Sequence, residues 1–202
     1  KLNGQQHVVY DLTVNNNAGL FGELNGAEIS NLGLVGAKTT TPSAAGNIGL
    51  LAGIAYDTQL TNCYAVGEIA AAAAHMGALV GYAGPNTGIT GCVTSGKFTN
   101  TSASETAATG GVVGTADGAN IINSLSTAYV RGDGVTGGIA GQLINTAGID
   151  NTTFAGTVQD TALADGANTP AVASTHAVAG SVAEDSAVVN SRFDRQMTLV
   201  GD

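Results

Sequence analysis

Arg131, Gly132 and Asp133 spell the integrin-type recognition tripeptide, in a chain that holds only three arginines. The surrounding string, "YVRGDGVTGGIAG", offers a second explanation of the same residues: an inward Val130, a turn at Gly132 and Gly134, then a glycine-rich strand. Either reading puts the tripeptide in a connection between strands. Asp57, Asp117 and Asp185 are the next candidates. Asp57 and Asp117 follow predicted strands by a few residues, and paired carboxylates along one edge are what polysaccharide hydrolysis requires as acid and base. No Lys or Arg column accompanies them, so solvated turn aspartates explain them more simply.

His7, His75 and His176 fall at different phases of the chain, with no Cys or carboxylate at ligand spacing, so neither a zinc site nor a catalytic triad is expected. The calcium-binding nonapeptide is absent as well, and neither cofactor nor metal is expected. Tyr56, Tyr64, Tyr82 and Tyr129 are scattered candidates for stacking against sugar rings. Cys63 and Cys92 occupy equivalent positions in two copies of a repeat. Adjacent parallel strands would bring them within about 4.8 Å, inside disulfide range. Two stacked inward thiols, a disulfide and a metal pair all remain open, with free thiols favoured because Ser124 and Thr152 continue the column as small residues.

The repeat is what must position all of these groups. "LTNCYAVGEI" at Leu60 to Ile69 returns as "ITGCVTSGKF" at Ile89 to Phe98, as "IINSLSTAYV" at Ile121 to Val130 and as "IDNTTFAGTV" at Ile149 to Val158. A second string lies between the copies, ending at Gly22, Gly53, Gly81, Gly114, Gly141 and Gly180 in steps of 31, 28, 33, 27 and 39 residues. A near-constant coil carrying loops of varying length is the pattern of a solenoid, with two strands expected per unit.

Alternation sorts the columns into faces. Ile69, Phe98, Val130 and Val158 point inward; Glu68, Lys97, Tyr129 and Thr157 point outward. Leu20, Leu51, Leu79, Val112, Ile139 and Val178 form another inward stack. Asn31, Asn62, Asn123, Asn151 and Asn190 share one corner, with Gly91 as the exception, and suggest a ladder of side-chain amides from coil to coil. Gly67, Gly96 and Gly156 recur in another column, with Gly36 and Ala128 beside them, as where the backbone bends or a Cβ does not fit.

Composition agrees with closely packed backbone rather than a bulky core: 30 glycines in 202 residues, no Trp and 4% aromatics. A net charge of −9 excludes the cation cluster that nucleic-acid backbones require and disfavours an acidic membrane surface. No apolar run is long enough to insert in a bilayer. Beginning at Lys1 without Met, the chain reads as a mature or excised segment.

The strings "N-C-Y-A-x-G-x-I" and "G-x-L-V-G" resemble the GLUG-motif repeats of bacterial secreted and cell-surface β-solenoid modules. The opening from Leu2 to Ala37 and "VVNSRFDRQM" from Val188 are similar to the ends of such arrays. The resemblance implies a stalk, adhesin or accessory region, generally without chemistry of its own, secreted or displayed at the cell surface.

The expectation is therefore an all-β, right-handed parallel β-helix of about six coils with repeats of ~30 residues, forming a single domain over 1–202. Caps are expected at about 1–18, with a hairpin-like stretch, and at about 187–202. The function expected is that of a non-catalytic rigid stalk or ligand-presenting scaffold. A polysaccharide-binding or polysaccharide-cleaving β-helix and a self-assembling filament subunit are the alternatives. Partners would be a host-surface or matrix protein or a glycan, with no nucleic acid and no membrane insertion, and end-to-end self-association if a cap is loose. A specific contact belongs in the long connection from Gln159 to Thr175, so the candidate binding residues are Arg131, Gly132, Asp133, Asp160, Asp165 and Asn168.

Overall fold

A computed structural model describes residues 1–14, 19–39, 46–160 and 175–194. Every strand pairing in it is parallel, and the described residues contain no helix. The chain winds through four sheets in a fixed order, with seven, ten, five and six strands respectively among the described residues. One complete turn runs through Gln59–Thr61, Tyr64–Ala71, Ala73–Gly77 and Val80–Ala83. Five such full turns stack on one another, flanked by partial ones, which is close to the expected count.

Each full turn thus passes through four sheets in short strands, where two strands were expected. The first expected strand is broken at its asparagine corner, where Asn31, Asn62, Asn123, Asn151 and Asn190 all adopt left-handed backbone, with φ between 47° and 54°. Asn tolerates this region and glycine does so freely, which explains why Gly91, at φ 65°, is the one exception in the column. The expected hairpin near the N-terminus is also replaced. Leu2–Asn3, Val8–Tyr10 and Thr13–Val14 each pair in parallel with the following turn, so this stretch is itself a partial coil.

The core is one continuous apolar stack. Ile69, Phe98, Val130 and Val158 are fully buried in successive rungs, and Leu51, Leu79, Val112 and Ile139 form the facing column. That second column lies at the bend between the third and fourth sheets, where backbone N–H groups donate to the next turn, as from Leu51 to Leu79 and from Leu79 to Val112. Burying a large aliphatic or aromatic side chain contributes about 1.5–3 kcal/mol. A single coil holds too few of them to stand alone, so neighbours complete its core.

Polar groups inside the stack are paired. Asn100, almost wholly buried, receives the Ala73 N–H at 3.0 Å and donates to the Ala73 carbonyl and Thr109 Oγ1, both at 3.0 Å. Its amide fills the ladder where the backbone passes from the second sheet to the third. The Cys63 column is completed by hydroxyls: Cys92 N–H donates to Ser124 Oγ at 3.2 Å, and Ser124 N–H to Thr152 Oγ1 at 3.3 Å.

Candidate ligand-binding face

The second sheet turns one side outward, and its backbone explains the shape of that side. Gly67 and Gly96 are register partners, and Ala37, Ala128 and Gly156 continue their column. A Cβ at Gly67, Gly96 or Gly156 would overlap the carbonyl oxygen of the preceding turn, of Ala37, Gly67 and Ala128 respectively. Glycine is needed here because adjacent turns approach backbone to backbone. The consequence on the outside is a shallow groove floored by bare main chain, about 330 Å³, which shares Glu68 and Lys97 with an adjoining depression of about 280 Å³.

Charged side chains line this floor in one row. Lys38, Glu68, Lys97 and Tyr129 are register partners on four successive strands. Lys38 escapes a fixed-offset reading of the repeat because a bulge lies before it, with Gly36 at φ 71° as the extra residue and a register shift between Val66 and Gly67. That insertion moves Lys38 into the outward column and Ala37 into the glycine column. Among the described residues neither Lys38 nor Glu68 makes an ion pair, unlike Lys1 and Glu28, which lie 2.8 Å apart. Lys97 Nζ lies 5.8 Å from the centre of the Tyr129 ring, and the Tyr129 hydroxyl donates to Gln159 Oε1 at 2.5 Å.

Arg131 belongs to the neighbouring outward row, paired with Thr99 on one side and Gln159 on the other. Arg131 and Gly132 lie in the strand Tyr129–Gly132 and not in a connecting loop, with Gly132 buried and Asp133 partly buried at the bend that follows. Strand pairing thus holds Arg131 within the sheet, next to the row of Lys97 and Tyr129, rather than at a tip. Arg131 Nε and Thr99 Oγ1 are both buried without a hydrogen-bond partner. Asp160 ends the strand Thr157–Asp160 as the register partner of Gly132, while Asp165 and Asn168 lie outside the described residues.

The aspartates serve corners. Asn86 Nδ2 donates to Asp57 Oδ1 at 2.8 Å, and Asn145 Nδ2 to Asp117 Oδ1 at 2.7 Å. The Tyr82 hydroxyl donates to Asp117 Oδ2. Burial and the Asp117 carboxylate together hold that phenol well above its ordinary range. Asp185 accepts from the hydroxyl of Ser186 at 3.3 Å in the turn that precedes the last strand of the first sheet. The asparagine corner is tied likewise: Asn151 Nδ2 donates to Asn123 Oδ1 at 2.7 Å, Asn31 to Asn3 at 3.2 Å and Asn190 to Asp150 at 2.9 Å. The amide-to-amide rung expected throughout the column forms between Asn123 and Asn151, while Asn31 and Asn190 bond to residues one position earlier in the neighbouring turn.

Tyr56, Tyr82 and His75, unrelated in spacing, meet outside the fourth sheet. The two tyrosine rings are 5.9 Å apart, and His75 sits edge-on to Tyr82 at 5.4 Å. His75 Nδ1 is 2.7 Å from Thr115 Oγ1, and partial burial lowers the imidazole's pKa. His7 Nδ1 donates to the Gly4 carbonyl at 2.8 Å. Cys63 and Cys92 are both buried and free. The Cys63 thiol beside it and burial raise the pKa of the Cys92 thiol above its ordinary range.

No family model matches the chain, and no curated protein matches it. Among solved structures it is similar to that of a "putative immunoglobulin A1 protease" from Bacteroides ovatus, with 17% identity and a TM-score of 0.75. The alignment covers 98% of this chain and 60% of that one, so the chain spans about three fifths of that protein's length. Likeness at this identity concerns the fold alone.

Proposed function

We propose that the chain is a non-catalytic structural and adhesive module of a secreted or surface-attached bacterial protein, a rigid scaffold that presents side chains in fixed rows. The GLUG-like strings support this reading. The observation that carries it is the division of labour between faces: Asp57 and Asp117, the carboxylates best placed for hydrolysis, are bonded to corner amides of neighbouring turns, whereas Lys38 and Glu68 face outward unpaired. Corner carboxylates hold coils together. Outward rows are left to meet a partner, either a host-surface or matrix protein or a glycan.

A glycan and matrix-protein array probed with the purified chain, read for both retention and cleavage, tests it. Retention without cleavage is expected. Turnover abolished by Asp57→Asn or Asp117→Asn would overturn the non-catalytic reading and point to a polysaccharide-cleaving enzyme.

End-to-end assembly has its own observation. Leu2 and Tyr10 are exposed on the first partial turn, and Val188, Val189 and Phe193 on the last, beside strands whose outer edges are unpaired among the described residues. Unpaired edges flanked by apolar side chains template further strands. An apparent molar mass by light scattering that rises with protein concentration, and falls on Val188→Lys, is the expected sign of it.

A further inference from the structure

We propose that the groove on the outward face of the second sheet binds an acidic polysaccharide, a carboxylate- or sulfate-bearing chain lying along the stacking axis. This deepens the scaffold reading above and rests on it.

Charge distribution is the first argument. The chain carries a net charge of −9 and six Lys and Arg in all, yet Lys38, Lys97 and Arg131 share this one face. Glu68 is the single carboxylate lining the groove, with Asp11 approaching its Gly36 end. A divalent cation would need the opposite balance. An anion is the ligand this row attracts.

Spacing argues for a polymer rather than a point anion. Parallel strands lie about 4.8 Å apart, so Lys38 and Lys97, two rungs apart, present their charges about 10 Å apart along the axis. A single phosphate or sulfate would be held by converging donors. A linear chain with recurring charges suits a row instead. Between the lysines, Glu68 can accept hydrogen bonds from sugar hydroxyls, and Tyr129 on the fourth rung offers a ring to stack on a pyranose.

The floor and the orphaned atoms make the same point. Between the outward side chains, the main chain of Gly67 and Gly96 forms the floor of the groove, and Val66 adds an apolar strip beside it. Arg131 Nε and Thr99 Oγ1, in the next row, spend no hydrogen bond within the protein. An unmet buried polar group is unfavourable, and a ligand that draws these two side chains into contact would satisfy them.

Isothermal titration of the purified chain with heparin, polygalacturonate and neutral dextran, at low and at physiological salt, tests the inference. Binding of at least one acidic chain, weakened by salt because the charges are exposed, is expected, with no heat from dextran. The Lys38→Gln, Lys97→Gln double variant should lose about tenfold or more in affinity with its melting temperature unchanged, and Lys1→Gln, outside the groove, should bind as the parent does. Equal affinity of the double variant, preference for dextran, or no binding to either acidic chain would overturn the acidic-glycan assignment. Retention of a neutral glycan or of a matrix protein on the array would still leave the adhesive reading standing. Chain shortening of any polysaccharide during titration would overturn the non-catalytic reading itself.

Discussion

Gly96 rests directly on Gly67 of the preceding turn, so closely that a methyl group at Gly96 would take the place of the Gly67 carbonyl oxygen. Its φ of 123° is a second obstacle to any other residue. Gly96→Ala should therefore cost about 3 kcal/mol or more, from backbone displacement and a strained dihedral together. Gly22→Ala, with nothing within 4 Å of its added methyl, is the control and should stay near neutral. Urea melts of the two variants decide it, and equal midpoints would show that the turns can separate without penalty.

The asparagine corner separates backbone demand from side-chain bonding. Asn123→Gly keeps the left-handed turn and loses only the link from Asn151, whereas Asn123→Ala loses both. Alanine should be the worse replacement by about 1 kcal/mol. Should the two variants melt together, the ladder and not the dihedral dominates at this corner.

Asn100→Ala would strand the N–H and carbonyl of Ala73 inside the stack, since the Asn100 amide is their partner. A loss of about 2–4 kcal/mol is expected. Hydrogen exchange at Ala73 reports it site by site, and unchanged protection there would mean that another group takes over.

His75 links stability to pH. Its folded pKa lies below the ordinary histidine value because burial disfavours the imidazolium. The unfolded chain therefore takes up the proton first as pH falls. Stability should be full above about pH 6.5 and decline as the pH drops through that value toward the lower folded pKa. His75→Gln should flatten this limb of the curve. Parallel melting curves for the parent and the variant between about pH 8 and pH 5 would remove His75 as the cause.

Thiol counting after denaturation without reductant should find both Cys63 and Cys92 reactive, and neither should react quickly in the native chain, where both are buried. A count of zero after unfolding would place a disulfide across these two rungs.

Much of the fold could be read from spacing. Ile69, Phe98, Val130 and Val158 share a sequence column and are buried one above the other, because in a solenoid the same position returns to the same place once per turn. In the glycine column, Gly67, Gly96 and Gly156 were equally legible as places without room for a Cβ, although Ala37 and Ala128 carry one in the same column. The candidate face was legible only in part. Glu68, Lys97 and Tyr129 stand in one outward column of the repeat, but Lys38 joins them through a bulge that the period does not contain. Arg131 looked like part of a loop because its string is rich in glycine, and neighbouring strands on both sides draw it into the sheet instead.

The amino-acid sequence alone determined the winding of the chain, the inward columns and the corner chemistry, since each depends on one residue type recurring at one phase. Only the tertiary structure decided which outward groups meet. The contacts of Tyr82 with Tyr56 and His75, the row from Lys38 to Tyr129 and the groove beneath it arise from close approach between turns and from a local register shift. Burial repeats with the coil and leaves a periodic trace. Lateral meetings on the surface depend on where each strand bends, and a bend contributed by one extra glycine leaves no period to find.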